Sequence, residues 1–342
     1  MNAPHRLKLD GAALAANWRA LARMSGTAAC GAAVKADGYG LGARAVVARL
    51  LAAGCRDFFV SSWNEAAALA DSGARVSVLH GVRDEDVAVA RALDARPVLN
   101  TRAQVRRWRD AGGGPCDVMV DTGMNRLGIA PDDVADGLLD GLVIDTLMSH
   151  LARAEEDSAM NEHQRARFAS LAGRTGATRM SLANSAGIAL GADYHFDLTR
   201  PGLALYGGLP VKTLGEAIRP VVQIEAEVLQ RRTVAAGESV GYNATWVAPT
   251  ETDAAIVNLG YADGYWRGFS DTGVAFAGRA VLPVIGRVSM DLLALDVTDA
   301  DVAEGDWIAF DPDLPRAACA SGMSQYELVT GLGQRFDRVW FD

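Results

Sequence analysis

Apolar and polar positions switch between two periods along the first two thirds of the chain. Asp10 reads as an N-cap, and the helical spacing that follows predicts a helix over 11–24. An apolar run over 28–34 predicts a strand, and 42–53 returns to helical spacing. A buried strand over 58–62 is followed by a helix over 63–71, closed by Gly73. The strand signal repeats over 76–80, 97–100, 118–121, 143–150 and 179–184. Helical patterns such as 101–110 and 162–172 separate these runs.

Short apolar strands alternating with helices mean βαβ units around a parallel sheet. About eight such units fit into the first ~210 residues, close to the ~250 of a typical (β/α)8 barrel. The pattern alone leaves a doubly wound open sheet as the competing architecture. The texture changes near Pro220. Runs over 221–232, 254–259, 274–283 and 292–297 read as strands with Gly, Asp and Pro turns between them, and only 324–331 looks helical. The expected division is therefore an α/β domain over 1–215, an (α/β)8 TIM-like barrel, and a mainly β domain over 216–342.

Composition narrows the classes of function. Half of the 342 residues are hydrophobic and 22% are charged, enough for a large core. The net charge is −9, and the 33 Lys and Arg residues form no cluster, which speaks against nucleic acid as a partner. Residues 1–10 hold no apolar stretch of signal-peptide type, and no run is long enough to span a membrane, so the reading is a cytoplasmic protein. Cys30, Cys55, Cys116 and Cys319 form no C-x-x-C pair and suit neither a zinc site nor a disulfide framework. Metal is not expected.

Lys35 stands where the first apolar strand ends, in the segment Val34-Lys35-Ala36-Asp37-Gly38-Tyr39-Gly40-Leu41-Gly42. On its own such a lysine is most simply one snorkelling out of a strand end. In a barrel, however, the C-terminal strand ends carry the active site, and burial turns a lysine amine into a nucleophile. Tyr39, four residues on, is placed to reach a ligand phosphate. Arg126, in Val120-Asp121-Thr122-Gly123-Met124-Asn125-Arg126-Leu127-Gly128, offers a permanent charge and a planar fork of donors. Ser185 opens a predicted helix after Asn184 and reads as either a plain N-cap or a phosphate contact. His150 ends another strand, whereas His5, His80, His163 and His195 read as structural.

These segments together resemble the alanine racemase family, in order and over almost the whole chain. The resemblance implies pyridoxal 5'-phosphate bound covalently to Lys35. It assigns Tyr39, Asn184, Ser185, Gly202, Leu203 and Tyr206 to the cofactor, with Ser185 and the Gly202 and Leu203 amides on its phosphate. His150 would pack on the ring, and Arg200 of Arg200-Pro201-Gly202-Leu203-Ala204-Leu205-Tyr206-Gly207 would bond to the pyridine nitrogen. An arginine cannot hand over a proton, so that nitrogen stays neutral and reprotonation is favoured over side reactions. Gly260-Tyr261-Ala262-Asp263-Gly264 and Gly286-Arg287-Val288-Ser289-Met290-Asp291 match two further family segments. Through them the resemblance implies a substrate carboxylate held by Arg126 and the Met290 backbone.

The activity so implied is interconversion of L- and D-alanine by two catalytic bases, Lys35 and Tyr261 of the partner subunit. A homodimer with shared active sites and a supply of D-alanine for peptidoglycan follow from the same resemblance. Six positions depart from the family pattern, among them Leu41, where histidine is commoner, and Gln334, where some members carry a tyrosine. Gly38 replaces an alanine, Asn125 a glycine, and Ser181 a histidine, while Met119 stands where many members carry a modified lysine that orients the arginine. The alternatives are a racemase of serine or of broader specificity, a fold-related decarboxylase, and a cofactor carrier. An arginine at position 200 disfavours the decarboxylase, and the β domain disfavours the carrier.

Overall fold

The structure is a computed structural model and describes residues 3–342. It divides into two compact units. One holds Leu14–Leu205 and Pro210–Ile218, and the other holds the chain up to Ala13, Tyr206–Leu209 and Arg219–Asp342.

Strand β1 (His5–Asp10) leads into the helix Gly11–Met24, and the Asp10 carboxylate accepts from the Ala13 N–H at 2.7 Å, the cap its sequence position predicts. Next come β2 (Ala29–Cys30), β3 (Ala32–Ala33), β4 (Asp57–Val60), β5 (Arg75–Val78), β6 (Ala95–Leu99), β7 (Pro115–Met119), β8 (Val143–Met148), β9 (Arg179–Ser181) and β10 (Leu198–Thr199). β3 to β9 pair in sequence order as one parallel sheet. β10 closes it into a ring. It pairs in parallel with β2, while the flanking amides of Asp197 and Arg200 donate to the Met180 carbonyl in β9 and the Ala183 carbonyl just beyond it. The open-sheet alternative is thereby excluded, and the TIM-like barrel stands. The first predicted strand is split at Gly31, where a Cβ would lie 2.9 Å from the Asp57 carbonyl oxygen.

Phe59, Val98, Met119, Met148 and Leu198 fill the barrel interior, one from each of five strands. Charges fill its other end. Asp57, Arg75, Arg96, Asp117, Asp145 and Arg179 each lie within the first three residues of their strands. Arg179 bridges Asp57 at 3.0 Å and Asp145 at 2.6 Å, Arg75 reaches Asp57 at 3.0 Å, and Arg96 reaches Asp145 at 2.9 Å. Buried Asp117 accepts from Ser77 Oγ at 2.6 Å. Three cations and three carboxylates thus balance where the strands begin.

In the other unit, β11 (Val222–Val234) is long enough to pair along its length with three other strands, β1 among them. β12 (Ser239–Val240) and β13 (Trp246–Val247) form a separate hairpin. β14 (Thr252–Val257), β15 (Val274–Ala277), β16 (Ala280–Ile285), β17 (Leu293–Asp296) and β18 (Trp307–Phe310) close a ring with β11, and β1 and β19 (Asp337–Phe341) extend it. The run expected as one strand over 274–283 is a hairpin turning at Gly278-Arg279. A second helix, Leu314–Ser321, accompanies the expected one at Gln325–Thr330. The Asp313 carboxylate caps it and Pro315 lies in its first turn. The N-terminal strand, counted by sequence with the first domain, pairs antiparallel with β11 in the sheet of the other unit.

Candidate active site

The chain leaves β3 in an unusual way. Ala36, Asp37, Gly38 and Tyr39 follow Lys35 with φ between 53 and 64°, four left-handed residues in succession. Each non-glycine residue there costs roughly 1–2 kcal/mol, so the surroundings must hold the turn. Several bonds do so. The Gly38 N–H donates to the Val34 carbonyl, Gly40 to Ala36 and Gly42 to Asp37, while the Asp37 carboxylate accepts from Ala43 at 2.8 Å. The Ala36 N–H donates to Glu65 Oε1 at 2.6 Å.

Lys35 Nζ has no hydrogen bond or ion pair among the described residues. Burial, then the nearby Arg126 guanidinium, hold its pKa below the usual lysine range, and Glu65 opposes them. His150 is partly buried, and desolvation with the charges of Arg200, Arg126 and Lys35 pushes its pKa down to about 3. Its imidazole is therefore neutral at working pH. Burial pushes Tyr39 up to about 12, which keeps its hydroxyl a donor.

Arg200 is buried, donates to Ser181 Oγ, and reaches the Ser149 carbonyl at 2.5 Å. Burial draws its pKa down to about 10, with Asp117 opposing, so it stays charged. The Phe59 ring lies 5.9 Å beneath it. Ser181, which departs from the family's histidine, thus serves as an anchor for Arg200. Ser149 is itself fixed by Thr122 at 2.8 Å, and Gln164 Nε2 donates to the His150 carbonyl at 3.0 Å.

Arg126 lies on a loop folded back onto β7. The Asp121 carboxylate gathers the Gly123 and Arg126 amides at 2.8 and 3.1 Å. Burial raises its pKa, but bonds from four backbone amides outweigh that and hold it low. Asn125 has φ 55°, a left-handed position that suits glycine and that asparagine tolerates, which accounts for that departure. The Arg126 side chain is exposed and has no partner among the described residues. Met119 packs into the barrel interior.

Asn184, not Ser185, caps the next helix, accepting from the Gly187 N–H at 2.8 Å. Ser185 Oγ accepts instead from Gly202 at 2.9 Å and Ala204 at 3.3 Å. Ser185 and Gly202 therefore come together. A Cβ on Gly202 would lie 2.3 Å from the Tyr39 hydroxyl, so the glycine leaves space beside it. Leu203 begins a 3-10 turn that ends at fully buried Tyr206, which belongs with the β unit.

The β unit carries the other two candidates. The Tyr261 and Ala262 amides donate to the Ser289 and Met290 carbonyls, both at 3.0 Å, so the two motifs form one structure. A Cβ on Gly260 would meet the Met290 carbonyl at 2.3 Å. The Arg267 guanidinium sits 4.9 Å over the Tyr261 ring. Buried Asp263 braces the turn, accepting from Gly260 at 3.0 Å and Arg335 at 2.7 Å. No role was read from the sequence for Glu65, Ser149, Ser181, Gln164 or Arg267. Only Glu65 had a local signal, the Ser62-x-x-Glu65 capping box.

An unpaired lysine of lowered pKa near arginines, at the C-terminal mouth of an α/β barrel, is placed as a barrel enzyme's nucleophile beside an anion site. Comparison with known proteins agrees. Residues 9–210 match the alanine racemase N-terminal domain and residues 221–340 the C-terminal domain. The chain is 45% identical to the alanine racemase of Acidiphilium cryptum, covering 99% of each, and 40% identical to the biosynthetic alanine racemase of Agrobacterium fabrum, covering 99% of this chain and 94% of that one. The crystal structure of the Bartonella henselae alanine racemase with covalently bound pyridoxal phosphate superposes with a TM-score of 0.91 at 32% identity, covering 98% of this chain and 99% of that one. The chain belongs to the alanine racemase family. It is an isomerase that interconverts the enantiomers of alanine, and pyridoxal phosphate is its cofactor.

The residues present fit that group. Lys35 offers an unpaired amine of lowered pKa, His150 a neutral flat ring and Arg200 a fixed cation. Gly202 keeps clear the space beside the Tyr39 hydroxyl that a side chain would fill. Among the described residues no His, Cys, Asp and Glu cluster is suited to a metal, and no helix is long and apolar enough to cross a membrane.

Proposed function

We propose that racemisation here uses two bases, Lys35 on one face of the substrate and Tyr261 of the partner subunit on the other. The observation that carries this reading is the isolated Lys35 amine, drawn toward its neutral form by burial and Arg126. When bound, pyridoxal phosphate acidifies the substrate Cα proton by withdrawing electrons. Lys35 holds the cofactor, and once displaced by the substrate amine its Nζ takes or returns the proton on its own face. Inversion needs a second proton carrier on the opposite face, and Tyr261 supplies a hydroxyl. Lysine serves the D-enantiomer and tyrosine the L-enantiomer.

Arg126 and the Met290 backbone each bind the substrate carboxylate. Arg200 bonds to the pyridine nitrogen without giving it a proton, since a guanidinium keeps its own. His150, held neutral, packs on the ring. Tyr39, Asn184, Ser185, Gly202, Leu203 and Tyr206 hold the cofactor, Ser185 and the glycine loop at its phosphate. The working unit is a homodimer with shared sites. The setting is cytoplasmic supply of D-alanine for peptidoglycan, and the domains divide near residue 215.

Purified protein in D2O with L-alanine tests this. Optical activity should decay to zero as deuterium enters Cα, and Lys35→Ala should abolish both. Full-rate racemisation by Lys35→Ala would remove Lys35 from its role. Racemisation of L-serine by the same protein, with alanine left untouched, would point to the other specificity.

A further inference from the structure

We propose that Glu65 is a positioning residue for Lys35, acting through the Ala36 amide and through its own charge. The proposal rests on the reading of Lys35 as a catalytic base.

Glu65 lies in the short helix Trp63–Ala67, and the Ser62 side chain and Glu65 form a capping box at its start. A capping glutamate needs only one carboxylate oxygen turned back on the cap. Here Oε2 does that work, accepting from Ser61 at 2.6 Å and Ser62 at 3.3 Å. Oε1 is left to cross to the residue directly after Lys35, accepting from the Ala36 N–H at 2.6 Å. Ala36 is the first of the four left-handed residues, so this bond fixes the entry to a turn that the backbone disfavours. One carboxylate therefore ties the end of β4 to the Lys35 turn.

Its charge acts on Lys35 as well. The charged groups bearing on the amine are Arg126, which favours the neutral form, and Glu65, which favours the protonated form. His150 also faces Lys35 and is neutral. Glu65 is thus the anion that keeps a desolvated lysine beside an arginine able to carry a proton as well as accept one. A base that must return what it takes needs both.

The two functions separate by substitution. Glu65→Gln keeps the reach and removes the charge. Glu65→Asp keeps the charge and shortens the arm. Ser62→Ala weakens the helix cap and leaves the Glu65 bond to Ala36 in place. Two measurements on the purified holoenzyme read them. The first is hydrogen exchange of the Ala36 amide, and the second is the pH profile of kcat for D-alanine, which reports groups in the substrate complex where the Lys35 amine is free. Glu65→Asp should speed Ala36 exchange by about tenfold, the worth of one charge-assisted bond. Glu65→Gln should move the acidic limb of the D-alanine profile to lower pH. Ser62→Ala should leave both as in the parent enzyme.

If neither variant at Glu65 changes its measurement, or if Ser62→Ala reproduces both changes, Glu65 is only a helix cap and the proposal falls. Loss of the Lys35 reading itself shows differently, as D-alanine turnover surviving in Lys35→Ala.

Discussion

At the scale of single residues, space and charge are set by side chains whose partners lie far away in sequence. Gly202 meets Tyr39, and Arg200 is held by Ser181 and the Ser149 carbonyl, 51 residues earlier. Overpacking a filled site costs about 1–3 kcal/mol. Gly202→Ala should therefore weaken cofactor retention roughly 10- to 100-fold, measured by equilibrium dialysis. His150 offers a pH test. Its pKa is about 3 in the native chain, against ~6.5 in the unfolded one. Between those values the unfolded chain binds a proton that the native one does not. The site's contribution to stability is thus intact above ~6.5 and declines as pH falls toward 3. His150→Asn should flatten the fall of the urea midpoint between pH 6.5 and 4.

Lys35, Arg126 and Arg200 were legible because each stands in a motif of eight or nine residues, and His150 and Ser185 by their place in the same series. Ser149, Ser181 and Gln164 were not, because their roles exist only once the strands are curled side by side.

At the scale of elements, the left-handed turn Ala36–Tyr39 is the feature that most constrains sequence. Ala36 adopts φ 54° at a cost a glycine would avoid. Ala36→Gly should leave the fold intact and stabilise it by up to ~1 kcal/mol, whereas Ala36→Val should destabilise it by about 1–2 kcal/mol. Chemical denaturation reads both. Apolar runs found almost every barrel strand, because strands covered on both faces read as continuous apolar segments. The short Leu314–Ser321 helix escaped because it spans only eight residues and none of them is fully buried, although Asp313 and Pro315 mark its start. The hairpin at Gly278 was hidden inside one long apolar run. The partner of β1 was beyond any local pattern, since β11 lies more than two hundred residues away.

At the scale of the whole molecule, the barrel separates stability from chemistry. The charged network occupies the strand beginnings, while Lys35 and Arg200 follow strand ends. Buried Asp57 faces Arg75, Arg96 and Arg179. Removing one partner from a buried ionic cluster costs about 3–5 kcal/mol. Asp57→Ala should lose stability on that order in urea unfolding, while the folded fraction keeps its KM for alanine. A shared site makes a further expectation. Subunits of Lys35→Ala and Tyr261→Phe, inactive alone, should regain part of the activity when mixed and allowed to exchange.

The division of labour between Lys35 and Tyr261 is the central claim, and one experiment addresses it directly. Tyr261→Phe is incubated separately with D-alanine and with L-alanine in D2O, following Cα deuterium and handedness together. With Lys35 as the remaining base, D-alanine should exchange its Cα proton while staying D, and L-alanine should exchange far more slowly. Equal exchange of both enantiomers with full inversion would contradict the account, because a second base would then exist elsewhere.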